Sequence, residues 1–232
     1  MPAIVLATLN ARFAHASLGL RCLRANLGAL RDDSVIREFI IGQKTEQIVE
    51  KLLADAPRII GFGVYIWNVE ETTRVVAQLK ALAPDLCIVL GGPEVSHETD
   101  TQRICALADY VITGWGDVSF ATLAARLLAG EHPAQHVISG EQPPLASLAL
   151  PYAEYDAADL AHRNIYVEAS RGCPFKCEFC LSALDRSAWA FPTAAFLAAL
   201  EDLYARGARQ FKFVDRTFNL KIDTSARILH FF

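Results

Sequence analysis

Apolar runs of strand length alternate with amphipathic helical patterns from the first residues of this chain. That alternation limits its possible folds more than any other feature. "AIVLAT" leads into "SLGLRCLRANLGALR", where Leu20, Leu23, Leu27 and Leu30 recur at helical spacing. "SVIREFII" precedes "TEQIVEKLLADA", a helical pattern that Pro57 stops. "RIIGFGVYI" runs into a helix opening at Asn68, with Glu71 three residues on, the arrangement of a capping box with Asn as the cap. "LCIVLGG" and "DYVITG" are further strands, and "DVSFATLAARLL" is the helix after the second. Continuous apolar strands separated by helices imply a parallel sheet covered on both faces. About five such units predict a doubly wound α/β domain over residues 1–140.

Residues 141–164 carry several prolines and no sustained period, and read as a connecting segment. The alternation restarts at Ile165: "IYVEAS" as a strand, "TAAFLAALEDLYARG" as a helix, "QFKFVD" as a strand, and a helix near Thr224. A βαβ unit takes roughly 30 residues or more, so residues 165–232 hold two parallel strands and little else. Two strands alone leave long edges unpaired and enclose no core. The second segment is therefore expected to be the opening of an incomplete β/α barrel, and the chain a fragment of something longer.

With 53% hydrophobic residues among 232, the chain is long enough to bury a substantial core. Its net charge of −4 and lack of a Lys/Arg run give no footprint for nucleic acid or an anionic membrane. The N-terminus has no positive region before its short apolar run, and no stretch reaches membrane-span length. A cytoplasmic location is expected, where clustered cysteines serve metals more often than disulfides.

Three of the six cysteines fall within "RGCPFKCEFC", residues 171–180. Cys173, Cys177 and Cys180 follow a predicted strand at its carboxyl end, where ligands of α/β folds sit. Three thiolates on so short a loop can converge on one metal centre. Structural zinc takes four ligands, whereas an iron–sulfur cluster on three cysteines leaves one iron open. Zinc, or three incidental thiols, remains the alternative.

The loop resembles the C-x-x-x-C-x-aromatic-C signature of radical S-adenosylmethionine enzymes. In that family the three thiolates hold a 4Fe–4S cluster whose fourth iron is chelated by S-adenosylmethionine. Electron transfer then breaks a carbon–sulfur bond and makes a 5′-deoxyadenosyl radical. The resemblance implies Cys173, Cys177 and Cys180 as ligands and Phe179 as the aromatic near the adenine. "FKFVDRTFN" resembles the strand-end segment of the members with an N-terminal cobalamin domain, which implies Asp215 and Asn219 as acceptors for the methionyl amine. Arg171 and Lys176 flank the loop.

The strand-end segments of the first domain, "TLNARFAHASLG", "GVYIWN", "GGPEVS" and "TGWGDVSF", together resemble that cobalamin-binding domain. Asn10, His15, Ser17, Tyr65, Trp67, Gly91, Gly92, Glu94, Gly114 and Gly116 are the implied cobalamin contacts, the glycines allowing close backbone approach. The D-x-H-x-x-G signature that supplies a cobalt-ligating histidine elsewhere is absent, so no protein imidazole is expected on cobalt. "GWGD" stands where the family has G-E-G-E. The resemblance implies a cobalamin-dependent radical enzyme carrying out methyl transfer or a rearrangement on an unknown substrate. A flavodoxin or ferredoxin would donate the electrons.

Two other readings compete with it. One is a non-catalytic cobalamin- and cluster-binding module. The other is a methylthiotransferase-like radical enzyme, whose first domain carries cysteines at strand ends. Cys22, Cys87 and Cys105 are not placed for such a second cluster. The remaining histidines (His97, His132, His136, His162, His230) show no ligand pairing and are expected at the surface.

Overall fold

The computed structural model describes residues 1–180 and 187–232. They form two compact units, Met1–Gln142 and Pro143–Phe232.

The first unit is built on a parallel sheet of six strands. These are β1 (Ile4–Asn10), β2 (Ser34–Ile40), β3 (Ile59–Gly63), β4 (Cys87–Gly91), β5 (Tyr110–Thr113) and β6 (Val137–Ser139), in spatial order β2-β1-β3-β4-β5-β6. Every residue of β1 is buried, which accounts for its apolar run over residues 4–7 and leaves Thr8 and Asn10 as buried polar groups at its carboxyl end. Alternate side chains enter two cores. Val5, Ala7 and Leu9 pack with α2 (Thr45–Ala54), α3 (Val69–Leu82) and α4 (Arg103–Leu107). Ile4 and Leu6 pack with α1 (Leu18–Ala25) and α5 (Asp117–Leu128). The strand order reverses at β1, whose neighbours are β2 and β3, so a crevice opens between the carboxyl ends of β1 and β3.

Three details depart from the sequence reading. Helix α1 stops at Ala25 instead of running to Leu30, because the Asn26 side chain bonds back to the Cys22 carbonyl and Gly28 turns to φ +56°. A 3₁₀ turn, Gly28–Asp33, takes over. No side chain caps α3 at Asn68, so the expected capping box does not form; Glu71 instead accepts from the Gly42 amide at 2.9 Å. The sixth strand is also new, three residues paired in parallel with β5.

The second unit pairs β7 (Ile165–Val167) in parallel with β10 (Phe211–Phe213), joined through α7 (Thr193–Ala205). Phe196, Leu200 and Leu203 are the buried face of α7. Between β7 and α7 lies an unanticipated antiparallel ladder, β8 (Ser170–Gly172) with β9 (Ala188–Ala190). Helix α8 (Ile222–Phe231) ends the chain. Of the residues expected to connect the two segments, all from Pro143 on belong to this unit. They fold as 3₁₀ turns at Leu145–Ser147 and Pro151–Glu154 and as α6 (Ala157–His162), whose capping box pairs Asp156 with Asp159. Among the described residues, no helix is long and apolar enough to cross a membrane.

Candidate functional site

In the first unit the expected cobalamin contacts all lie at the carboxyl ends of β1, β3, β4 and β5, or in the loops that follow. The loop after β1 is fixed by a buried carboxylate that sequence reasoning missed. Glu38 Oε1 accepts from Asn10 Nδ2 at 2.9 Å and from the Ser17 amide at 2.6 Å, while Oε2 pairs with Arg21 at 3.0 Å. Asn10 also donates to the His15 carbonyl, and Arg21 to the Ser17 carbonyl. The Arg21 and Glu38 side chains are only 3% and 6% exposed. Burial alone would raise the Glu38 carboxyl. The Arg21 charge and the bonds from Arg21, Ser17 and Asn10 outweigh it and hold the group below its ordinary value.

The loop after β3 is tied to the same place. Asn68 is fully buried; its Oδ1 accepts from the Tyr65 amide, and its Nδ2 faces Thr8 Oγ1 and the carbonyls of Leu9 and Gly63. This explains the absent helix cap, since the side chain ties β1 to β3 instead. Tyr65 and Trp67 stack with centroids 4.5 Å apart and planes 9° from parallel, and Trp67 stays half exposed. The Tyr65 phenol bonds to Ser17, yet burial of its hydroxyl end pushes it above the ordinary value.

The loops after β4 and β5 meet through Ser96. Its hydroxyl donates to the Gly92 carbonyl and accepts from the Gly114 amide. Gly92 has φ +114°, and a Cβ there would stand 2.4 Å from the Val64 carbonyl oxygen, so only glycine lets these loops cross. Glu94 returns its amide to that same Val64 oxygen. Gly114, with φ +72°, faces open space, whereas Gly116 precedes α5 and packs against Leu23.

This end of the sheet therefore offers a stacked aromatic surface, backbone free of side chains at Gly114, and a rigid rim. That suits a large planar ligand, and cobalamin fits it.

In the second unit, Cys173, Cys177 and Cys180 share one loop and form no disulfide, Cys177 being exposed and the others partly so. A turn carries the Cys180 amide to the Cys177 carbonyl at 3.0 Å. Cys173 Sγ lies 3.2 Å from Thr217 Oγ1. The β8–β9 ladder closes the neck of the loop. A Cβ on Gly172 (φ +84°) would stand 2.0 Å from the Ser187 oxygen, which is why glycine precedes Cys173. Among the described residues, no three His, Cys, Asp or Glu side chains are gathered closely enough to grip a metal ion as they stand. Three accessible thiols on one tethered loop are nonetheless the donor set an iron–sulfur cluster uses, and metal binding itself draws such ligands together.

Asp215 and Asn219 part company here. Asp215 braces the strand leading to the loop, Oδ2 accepting from the Ala169 amide at 3.0 Å and Oδ1 from Ser170 Oγ at 2.6 Å. Asn219 lies exposed in the turn before α8, and Phe179 is 94% exposed. A cleft beside the brace is lined by Ser170, Ala188, Asp215, Thr217 and Lys221. Arg171 is paired with Glu168 at 2.8 Å.

The other cysteines are unsuited to metal. Cys22 and Cys105 are buried. Cys87 starts β4, at the end of the sheet away from the crevice, and burial followed by the Asp109 carboxylate pushes its thiol up to about 12. His97, His132, His136, His162 and His230 are all exposed.

A doubly wound sheet of this strand order, with an aromatic pair and glycine-bearing loops at the carboxyl ends of its strands, defines a ligand-binding α/β domain. The B12 binding domain model matches residues 4–124, and the chain belongs to that family. Its similarity to the uncharacterized methyltransferase PH0819 of Pyrococcus horikoshii is 28% identity over 241 aligned positions, 91% of this chain and 52% of the relative. The cobalamin-dependent radical SAM methyltransferase TokK of Streptomyces tokunonensis is 26% identical over 171 positions, 63% of this chain and 24% of TokK. In fold, the chain superposes on the radical S-adenosylmethionine methyltransferase TsrM from Kitasatospora setae, solved with cobalamin and a 4Fe–4S cluster, with a TM-score of 0.69. That match, at 17% identity, covers 99% of this chain and 52% of TsrM. The chain thus spans about half, or less, of the length of these relatives. The matches to PH0819 and to TsrM run along most of this chain.

Proposed function

We propose that this chain is the cofactor-binding part of a cobalamin-dependent radical S-adenosylmethionine methyltransferase. The observation that carries the proposal is the pairing, in one chain of the B12-binding family, of a doubly wound switch point with a loop bearing three accessible thiols. Cobalamin would lie over the carboxyl ends of β1 and β3–β5, and Cys173, Cys177 and Cys180 would hold the cluster. When bound there, a 4Fe–4S cluster supplies an electron and an iron open to S-adenosylmethionine, and cobalamin supplies a methyl carrier.

The protein's own residues have distinct tasks in this account. The Glu38 knot and the Asn68 tether hold the two loops that flank the switch point. The Tyr65–Trp67 stack presents a flat apolar face. Thr217 can hydrogen-bond the Cys173 sulfur and so tune the electronics of a bound cluster. Asp215 fixes the strand end, while Phe179 and Asn219 are proposed to meet the adenine and the methionyl amine. A flavodoxin- or ferredoxin-like protein is proposed as the electron donor. Methyl transfer is favoured over rearrangement because the relatives in sequence and in fold are methyltransferases by name.

The test is anaerobic incubation of the reconstituted chain with methyl-labelled S-adenosylmethionine and a low-potential reductant. Label appearing on cobalamin, with demethylated cofactor released, supports the proposal. Because the chain spans about half of its relatives' length, slow or absent turnover by it alone is expected; retention of both cofactors with no label transfer in a protein of the relatives' full length favours the non-catalytic module.

A further inference from the structure

Among the described residues, the strand that delivers the cysteine loop has one edge paired with no other strand. Successive residues of a β-strand direct their N–H and C=O groups alternately to its two sides. Ile165 and Val167 face β10, as the bond from the Val214 amide to the Val167 carbonyl shows. Tyr166 and Glu168 turn theirs the other way. There the Tyr155 hydroxyl donates to the Tyr166 carbonyl at 2.8 Å and accepts from the Tyr166 amide at 3.1 Å. The Tyr152 hydroxyl treats Glu168 identically, at 3.1 and 3.0 Å. Each phenol therefore satisfies both backbone groups of one residue, as a neighbouring strand would, because its single oxygen both donates and accepts.

The phenols are themselves held in place. Tyr152 and Tyr155 are 2% and 0% exposed. Arg206, at the end of α7, donates to the carbonyls of both tyrosines and to Asp202. The Tyr152 ring meets Phe196 edge-on, with centroids 6.0 Å apart.

We infer that Tyr152 and Tyr155 are positioning residues for the cysteine loop, standing in for a strand on the free edge of β7 and fixing the register of residues 166–172. The inference rests on the proposed function only in taking that loop as the seat of the cluster. A one-residue slip of a strand exchanges its faces. Here it would carry Ser170 away from Asp215 and Cys173 away from Thr217, breaking bonds that both depend on the present register. The phenols also leave this edge closed to any added strand, since the backbone groups such a strand would need are taken.

The test uses the full chain carrying Tyr155→Phe, Tyr152→Phe, or both, which keeps the rings and deletes only the hydroxyls. Hydrogen exchange at the amides of residues 166 and 168 should accelerate by roughly fivefold to tenfold in the double variant. In the metal-free chain, Cys173 should be alkylated severalfold faster, with buried Cys22 unchanged as the control. In the reconstituted chain, paramagnetic resonance of the reduced cluster should broaden into more than one species, whereas cobalt content stays constant. Unchanged exchange at 166 and 168 together with unchanged Cys173 alkylation would overturn the inference. If the unsubstituted chain takes up zinc and no cluster, the proposed function fails, and exchange and alkylation still decide the role of the tyrosines. Each single variant should free only its own residue, 166 for Tyr155 and 168 for Tyr152, which keeps the inference decidable if the double variant does not fold.

Discussion

The Ser17 amide donates to the Glu38 carboxylate over 2.6 Å, and that bond anchors the loop after β1 to the neighbouring strand β2. The same carboxylate neutralises Arg21, so its removal would strand a buried cation as well as free the loop. Breaking one partner of a buried pair costs about 3–5 kcal/mol. Glu38→Ala should lower unfolding stability in urea by about that amount, and Arg21→Met in the same chain should recover a large part of it. The pH dependence has a definite sign. Because folding lowers the Glu38 pKa, its contribution is complete above the ordinary carboxyl value of about 4.3 and fades as pH falls through the lowered one. Glu38→Gln should remove that part of the acid-induced loss of stability.

Asn68 distinguishes a helix cap from an interstrand tether. Serine serves well as a cap, so Asn68→Ser would be nearly silent if capping were the residue's task. Since the side chain instead bonds the Tyr65 amide and groups on β1 and β3, Ser should be almost as damaging as Ala. The loss should be on the order of 1–3 kcal/mol in denaturant titrations.

Two glycines with positive φ should respond differently to alanine. Gly92 combines its φ with a contact that leaves no room for a Cβ, and Gly92→Ala should cost on the order of 2 kcal/mol or more and weaken cobalamin retention. Gly114 faces open space, so Gly114→Ala should carry only the backbone penalty of about 1 kcal/mol. Thermal unfolding of the two variants in parallel measures the difference.

Much of this was legible in the sequence because it is periodic or local. The first five strands of the first sheet announce themselves as apolar runs, the three-residue sixth does not, and the loops at their carboxyl ends follow from a parallel sheet. The cysteine loop is a local spacing. What escaped depends on contacts between residues far apart in sequence, which leave no period. Asn68 reads as a cap until Thr8, sixty residues away, is placed beside it. Glu38 stands beside Arg37 in β2, and nothing local tells which of the two charges turns inward. The β8–β9 ladder and the tyrosines on β7 arise from three-residue strands and from a proline-bearing stretch that local rules mark only as connection.

Asp215 offers a choice between two roles. As an acceptor for the methionyl amine alone, it would affect affinity for S-adenosylmethionine and leave the cluster intact. Its bonds to Ala169 and Ser170 place it instead under the strand end that leads to Cys173. Asp215→Ala should therefore reduce iron retained per chain after reconstitution, with cobalt content unaffected. Full iron content accompanied by weakened cofactor binding would assign it to the amine.

The most direct test of the account is metal analysis of the chain after anaerobic reconstitution with iron, sulfide and hydroxocobalamin, run beside Cys177→Ser. The unsubstituted chain should hold about four iron atoms, as a 4Fe–4S cluster requires, and about one cobalt in a B12-binding domain. Cys177→Ser should lose the iron and keep the cobalt. Stoichiometric zinc that iron does not displace, or a chain that retains no cobalt, would contradict the account.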